Sequence, residues 1–163
     1  MFSRFLHAVV FRTFGHERVE DLARASSVPV INGLSDLHHP CQILADLLTV
    51  RESLGSLEGI RVAWVGDGNN VAHSWIEAAT LLGFELVLAC PEGYDPNPEV
   101  LSAGKRRGRG KVEVVRDADA ACRGADVVTT DVWVSMGQEG EAKDRNRVFE
   151  PYAVDARRME LAA

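Results

Sequence analysis

Apolar residues fall into short runs along the chain, separated by longer stretches in which they recur every three or four positions. The short runs predict buried strands and the longer stretches predict amphipathic helices. Their alternation is typical of an α/β fold, a parallel sheet with helices on both faces. The predicted strands are residues 6–11, 28–31, 61–65, 86–90, 112–115 and 127–129, and the predicted helices are residues 17–25, 40–53, 71–82, 98–105, 118–122 and 139–147.

A domain boundary is predicted at LGSLEG, residues 54–59, where two glycines and a serine separate a helix from a strand. Residues 1–53 hold about two strand–helix units, too few for a core of their own. Residues 54–163 can build a nearly complete, Rossmann-like doubly wound sheet. We expect the first part to be the end of a larger domain, and the second to stop early, because the helix expected from residue 151 leads into no further strand.

Charge and cysteine content narrow the function classes. The 18 basic and 24 acidic residues give a formal charge of −6, with the acidic residues scattered, so no general affinity for nucleic acid is expected. The basic cluster KRRGR, residues 105–109, is interpreted as a solvated loop or helix end. Cys41, Cys90 and Cys122 form no CxxC pair, and no signal peptide or membrane span is evident, so a cytoplasmic protein is expected.

The first candidate site is HPCQ, residues 39–42, which opens a helix with the apolar stripe Ile43, Leu44, Leu47 and Leu48. Proline suits the first helical position. His39 and Gln42 then lie one turn apart beside unpaired backbone N–H groups, a corner that favours a polar or anionic ligand. The alternative is that both side chains only cap the helix.

The second candidate is the GDGNN turn, residues 66–70, between a strand and a helix. Gly66 and Gly68 begin a GxGxxG pattern, but Val71 replaces the third glycine, so a dinucleotide site is disfavoured. Asn69 and Asn70 offer groups suited to an amino-acid backbone, or serve only a left-handed turn. His73 and Trp75, in the following helix, are assigned no role beyond packing.

The third candidate is TTDVWVSMGQE, residues 129–139, where a strand end delivers Asp131 and a loop exposes Ser135 and Met136. Asp131 suits an amine ligand, and a loop with Met and Gly suits an aliphatic chain. The alternative is an ordinary helix entry capped by Asp or Ser. No metal-ligand spacing, GxSxG or Walker loop is present, so no metal is predicted.

Five segments in this order resemble those of ornithine carbamoyltransferases: FRTFGHE, PVINGLSDLHHPCQILADLL, WVGDGNNVAHS, PEGYDP and DVWVSMGQE. They cover nearly the whole chain. The resemblance implies transfer of a carbamoyl group from carbamoyl phosphate to L-ornithine, giving L-citrulline and phosphate in arginine metabolism, with no cofactor. Residues 1–53 would then be the end of the carbamoyl-phosphate domain with its linking helix, and residues 54–163 an ornithine-binding domain incomplete at its C-terminus.

The resemblance also implies roles for individual residues. Arg12, His39 and Gln42 would hold the carbamoyl group, with Arg12 and His39 catalytic because they polarise its carbonyl. The ornithine contacts would be Asn70, Asp131, Ser135 and Met136, with the carboxylate taking the α-ammonium group. Ornithine is favoured over aspartate, whose second carboxylate would need cationic partners, while putrescine or another amine stays open.

Two expected motifs are absent from the sequence: the upstream Ser-x-Arg-Thr-Arg phosphate loop and the downstream His-Cys-Leu-Pro segment. We therefore expect little or no activity from this chain, because the leaving phosphate and the attacking amine each lose contacts. The resemblance implies a homotrimer, and the missing upstream domain counts against its formation here. Two alternatives stay open: a non-catalytic amino-acid-binding remnant and a nicotinamide-dependent oxidoreductase that uses the GDGNN turn.

Overall fold

Two parallel sheets organise the chain, and the computed structural model describes residues 2–135 and 139–163. The strands are β1 (Val9–Arg12), β2 (Val30–Leu34), β3 (Arg61–Val65), β4 (Glu85–Ala89), β5 (Lys111–Val115) and β6 (Val127–Thr129). The helices are α1 (His16–Ala25), α2 (Pro40–Leu54), α3 (Asn70–Leu82), α4 (Pro98–Arg107), α5 (Ala118–Cys122), α6 (Ala142–Phe149) and α7 (Ala156–Met159). Short 3₁₀ turns occupy Phe2–Arg4, Glu139–Glu141 and Glu150–Tyr152.

The larger sheet has the strand order β5-β4-β3-β6, and β1 pairs with β2 in a separate sheet. All pairings are parallel. The central strands β3 and β4 are apolar on both faces because helices cover both. One face packs on α2 and α3 through Trp64 and Trp75, and the other packs on α5 through Val65 and Cys122. The predicted α/β class with parallel sheets is confirmed.

Several predicted boundaries are wrong in detail. Strand β1 begins at Val9 and not at residue 6, because its pairing with β2 starts at Val9 opposite Val30. The helix predicted from residue 139 is a 3₁₀ turn followed by α6. Beyond residue 151, only α7 is α-helical, and the Arg158 guanidinium donates to the carbonyls of Ala153 and Pro151 in the non-helical segment before it.

The predicted apolar stripe of α2 is also partly wrong. Ile43 and Leu47 are buried together with Val50, whereas Leu44 is 67% exposed and Leu48 is 55% exposed. Positions 43, 47 and 50 follow the helical repeat and form the face that meets α3, so positions 44 and 48 turn away from it. Within residues 2–135 and 139–163, no helix has the length and apolar composition needed to cross a membrane.

Side chains from the first turns of α3 join the two sheets. Asn70 Nδ2 donates to the carbonyl of Ser35 at 2.7 Å, and Ser74 Oγ accepts the backbone N–H of His39 at 2.8 Å. A ring nitrogen of His73 bonds the carbonyl of Leu37 at 2.8 Å. The loop that leads into α2 is therefore fixed against the same helix that follows the GDGNN turn.

Candidate active site

A cleft of about 550 Å³ lies between the loop before α2, the start of α3 and the segment after β6. Every predicted site residue that the structure describes lines this cleft: Arg12, His39, Gln42, Asn70, Asp131 and Ser135. Met136, the remaining predicted residue, lies outside the described residues. Four segments far apart in the sequence, at Arg12, residues 39–42, Asn70 and residues 131–135, therefore meet at one place.

His39 is the residue that precedes the first turn of α2, with Pro40 at the first helical position. Its side chain makes no capping hydrogen bond, so the interpretation of His39 as a simple cap is wrong. Its Nδ1 is buried and has no hydrogen-bond partner among the described residues. Burial lowers the pKa of His39, and the nearby Arg12 adds to that shift. The ring is therefore neutral near pH 7 and has an unused polar atom.

Gln42 lies one turn into α2 on the cleft side. Its side chain bonds Asp46 Oδ1 at 2.8 Å. An ionised carboxylate only accepts hydrogen bonds, so the Gln42 amide nitrogen must face Asp46. The amide oxygen of Gln42 is thereby left as an acceptor, and the guanidinium of Arg12, the last residue of β1, is the cationic group of this wall.

The asparagines of the GDGNN turn have different tasks. Asn69 has φ −82°, and no described residue other than glycine has positive φ, so the interpretation that the two asparagines adopt a left-handed conformation is wrong. Asn69 caps α3, accepting the N–H groups of Val71 at 3.0 Å and Ala72 at 3.2 Å. Its amide nitrogen donates to Asp131 Oδ2 at 2.9 Å. Asn70 lines the cleft itself.

Asp131 follows β6 in a segment held at several points. Thr130 Oγ1 donates to the carbonyl of Val65 at 2.6 Å, which ties the segment to the end of β3. Asp131 Oδ1 accepts the N–H of Val132 at 2.8 Å. Arg145 Nε donates to the carbonyl of Trp133 at 2.6 Å. The carboxylate is thus presented from a fixed strand end.

Asp67 and Arg145 form an ion pair that sequence reasoning missed. The Arg145 side chain is 4% exposed, and that of Asp67 is 14% exposed. The guanidinium lies 5.0 Å from the ring centroid of Tyr94 and 5.2 Å from that of Phe149, within cation–π range. Burial raises the pKa of Asp67, and the hydrogen bond from Arg145 opposes that rise. The pair joins the GDGNN turn to α6.

His73 and Trp75 have the packing positions that the sequence predicts. Trp75 is 1% exposed in the core. His73 Nε2 accepts the N–H of Asn97 at 2.9 Å, so its Nδ1 carries the proton and donates to the carbonyl of Leu37. Burial lowers the pKa of His73, which agrees with this neutral tautomer. The ring therefore links the loop before α2 to the loop before α4.

The GDGNN turn lacks the open backbone of a dinucleotide site. The N–H of Gly68 donates to the carbonyl of Tyr94 at 2.9 Å. A Cβ at Gly68 would lie 2.2 Å from the nitrogen of Pro96 and 2.4 Å from the carbonyl carbon of Asp95. Glycine here makes room for the chain's own loop, and no amide of Gly68 is left for a phosphate.

The fold and site define an α/β protein with a polar substrate cleft beside the ends of parallel strands, and comparison with known families identifies it further. The family model for the aspartate/ornithine carbamoyltransferase Asp/Orn binding domain matches residues 58–163, and the model for the carbamoyl-P binding domain of the same family matches residues 1–52. The chain belongs to the aspartate/ornithine carbamoyltransferase family.

Individual relatives agree with this assignment. The chain is 53% identical over 161 residues to the ornithine carbamoyltransferase of Desulfotalea psychrophila, covering 99% of the chain and 53% of the relative. Over 160 residues it is 55% identical to that of Halorhodospira halophila, covering 98% of the chain and 52% of the relative. The chain spans about half the length of the curated relatives it matches.

Solved structures show the same fold. The ornithine carbamoyltransferase of Pyrococcus furiosus superposes with a TM-score of 0.91 at 46% identity, covering 99% of this chain and 53% of that one. The anabolic ornithine carbamoyltransferase of Campylobacter jejuni gives a TM-score of 0.94 at 37% identity, covering 99% and 55%. Both parts of the chain therefore share the carbamoyltransferase fold.

Proposed function

We propose that the chain contributes the substrate cleft of an ornithine carbamoyltransferase, which transfers the carbamoyl group of carbamoyl phosphate to L-ornithine and releases L-citrulline and phosphate. One observation carries this proposal: a single cleft joins Arg12, His39 and Gln42 on one wall to Asn70, Asp131 and Ser135 on the other. The relatives named as ornithine carbamoyltransferases support the choice of reaction.

The wall formed by Arg12, His39 and Gln42 is suited to the carbamoyl group. Attack on the carbonyl carbon moves charge onto its oxygen, and Arg12 supplies the positive charge that stabilises it. His39, neutral because burial lowers its pKa, supplies a hydrogen-bond donor without a second full charge. The amide oxygen of Gln42 accepts an N–H of the carbamoyl group, because its amide nitrogen is bound to Asp46.

The wall formed by Asn70, Asp131 and Ser135 is suited to the amino acid. Asp131 pairs with the α-ammonium group, and Asn70 and Ser135 contact the amino-acid backbone. The role of Met136 rests on the resemblance alone. Holding the side-chain amine next to the carbamoyl carbon converts a bimolecular reaction into an effectively unimolecular one.

The charge of the cleft favours a cationic amine as substrate. Its described lining includes the carboxylates Asp36, Asp46 and Asp131 against the single guanidinium of Arg12. A dicarboxylic amino acid would place a second negative charge in an already acidic cleft. Ornithine adds no second negative charge, and its side-chain amine attacks the carbamoyl carbon in the neutral, deprotonated form. We therefore propose ornithine and not aspartate as the acceptor.

The two parts of the chain correspond to the two family models, whose boundary lies between residues 52 and 58. We propose residues 1–53 as the carbamoyl-phosphate part and residues 54–163 as the ornithine part, as the sequence predicts. The homotrimer implied by the resemblance stays a prediction, to be tested by sedimentation of the purified chain. Three free cysteines among the described residues are compatible with a reducing compartment such as the cytoplasm.

The test is a citrulline-formation assay on the purified chain with carbamoyl phosphate and L-ornithine, run beside calorimetric titration with L-ornithine. Asp131→Ala is the matched variant. Turnover lost in the variant would support the reaction and overturn the expected inactivity of this chain. Binding without turnover, lost in the variant, would support the amino-acid site and favour the non-catalytic alternative for this chain. The absence of both binding and turnover would refute the proposal.

A further inference from the structure

Both polar atoms of the Asn69 side chain make contacts within the protein. Its Oδ1 accepts the N–H groups of Val71 and Ala72 at the start of α3, and its Nδ2 donates to Asp131 Oδ2 at 2.9 Å. The residue does not line the cleft, whereas Asn70 and Asp131 do. One amide therefore connects a helix terminus to a carboxylate 62 residues further along the chain.

The capping bonds fix the direction of the Asn69 amide nitrogen. A primary amide is planar, so binding Oδ1 to two backbone N–H groups determines where Nδ2 points. The donor is consequently oriented before any ligand arrives. The other oxygen of Asp131, Oδ1, accepts the N–H of Val132. The bond from Asn69 to Oδ2 therefore connects the carboxylate to the GDGNN turn.

We propose that Asn69 is a positioning residue that holds the Asp131 carboxylate in the orientation that receives the α-ammonium group of the amino-acid substrate. The inference rests on the proposed function and adds a residue to it. Asn69 acts through Asp131 and touches no substrate. A preorganised carboxylate binds an ammonium group more tightly than one that must first give up rotational freedom.

Substitution by serine separates the two tasks of Asn69. Serine is as good a helix cap as asparagine, so Asn69→Ser keeps the bonds to the start of α3 and removes the donor to Asp131. The matched control is Asn97→Ser. Asn97 caps α4 by accepting the N–H of Glu99 at 2.8 Å, and it does not line the cleft.

The ligand pair that tests the inference is L-ornithine and 5-aminopentanoate, the same molecule without its α-amino group. Calorimetry on the wild-type chain is expected to show tighter binding of ornithine. In Asn69→Ser, the ornithine dissociation constant should rise about tenfold, as for loss of one hydrogen bond to a charged group, while that of 5-aminopentanoate stays unchanged. Asn97→Ser should change neither.

An equal loss of affinity for both ligands in Asn69→Ser would overturn the inference, because it would indicate a general disturbance of the site. An unchanged preference for ornithine would overturn it as well. If the wild type shows no preference for ornithine, the proposed function fails first and the inference fails with it.

A double-mutant cycle measured without ligand distinguishes failure of the inference from failure of the proposed function. Urea denaturation is measured for Asn69→Ser, for Asp131→Ala and for the double variant. If the two side chains are coupled, the fold-change of the unfolding equilibrium constant in the double variant should be about ten times smaller than the product of the two single fold-changes. The reason is that each substitution alone already removes the same contact. Multiplicative effects would show that the two side chains are uncoupled and would overturn the inference independently of any substrate.

Discussion

At the scale of single residues, Arg145 connects segments that are distant in the sequence. Its guanidinium pairs with Asp67, donates to the carbonyl of Trp133 and lies beside the rings of Tyr94 and Phe149, within cation–π range of both. Charges are rarely buried unless they are paired. The arginine therefore serves the cleft by fixing both the GDGNN turn and the segment that carries Asp131.

Removing this guanidinium should be costly. Arg145→Met leaves Asp67 buried without its cation, and breaking a buried pair in this way costs about 3–5 kcal/mol of the free energy of unfolding. Urea denaturation measures the loss. The control is Arg147→Met in the same helix, where the ion pair with Asp144 is exposed and spans 3.6 Å. Similar losses in both variants would contradict the structural role of Arg145.

The neutral state of His73 predicts a dependence of stability on pH. Burial lowers its pKa in the folded state, while the unfolded chain titrates near the ordinary value of about 6.5. Above about pH 6.5, the His73 side chain is neutral in both the folded and the unfolded state. Below it the unfolded state takes up a proton that the folded state refuses, so the free energy of unfolding falls as the pH falls. His39 contributes in the same sense.

The measurement is the free energy of unfolding between pH 7.5 and 5.5, conditions chosen to span about one unit on each side of the ordinary histidine value. His73→Gln should flatten the decline, because the variant has one fewer group that takes up a proton on unfolding. His7→Gln is the control, since His7 is exposed. Parallel pH profiles for the wild type and His73→Gln would refute the explanation.

At the scale of elements, strands β3 and β6 and helix α5 have the predicted bounds, because each is a distinct apolar segment between clear turn residues. The cleft residues were predicted from the resemblance of their segments to those of ornithine carbamoyltransferases, whereas the residues alone left capping alternatives open. The contacts of Asn69 with Asp131 and of Asp67 with Arg145 were not predicted. They join positions 62 and 78 residues apart, and no local pattern in the sequence encodes such pairs.

The close approach of Gly68 to the backbone of Asp95 and Pro96 predicts that a larger residue at position 68 destabilises the protein. Gly68→Ala places a methyl group on the backbone of Asp95 and Pro96, so the loop before α4 must move. Overpacking of this kind costs about 1–3 kcal/mol. Thermal or urea unfolding measures it. Gly140→Ala, where an added Cβ meets nothing within 4 Å, is the control and should leave stability unchanged. A fully stable Gly68→Ala would contradict the packing described.

At the scale of the whole molecule, the two sheets differ in how well they are covered. Val19 is the only buried apolar side chain among those described between residues 3 and 38. In the small sheet, Val10 is 68% exposed and Ile31 is 43% exposed. The large sheet carries the clusters on both of its faces. Burial of apolar surface therefore stabilises β3 and β4 far more than β1 and β2.

Hydrogen exchange should reveal this difference. Amides of β1 and β2 should exchange at least about a hundredfold faster than those of β3 and β4, because a two-stranded sheet whose side chains are half-buried or exposed opens at little cost. Mass spectrometry of peptides from each strand measures the rates. Equal protection in both sheets would mean that the bonds from Asn70, His73 and Ser74 to the loop before α2 make the molecule open as one unit.

The contact between Gly68 and Pro96 also bears on how glycine-rich turns are used in protein engineering. A search for cofactor fingerprints would select this turn by its first two glycines, yet the space beside Gly68 is filled by the chain's own residues Asp95 and Pro96. Installing a nucleotide here would require rerouting the segment at Asp95 and Pro96 before any glycine was added. Which ligand such a turn accepts is thus decided by the neighbouring loop that already occupies it.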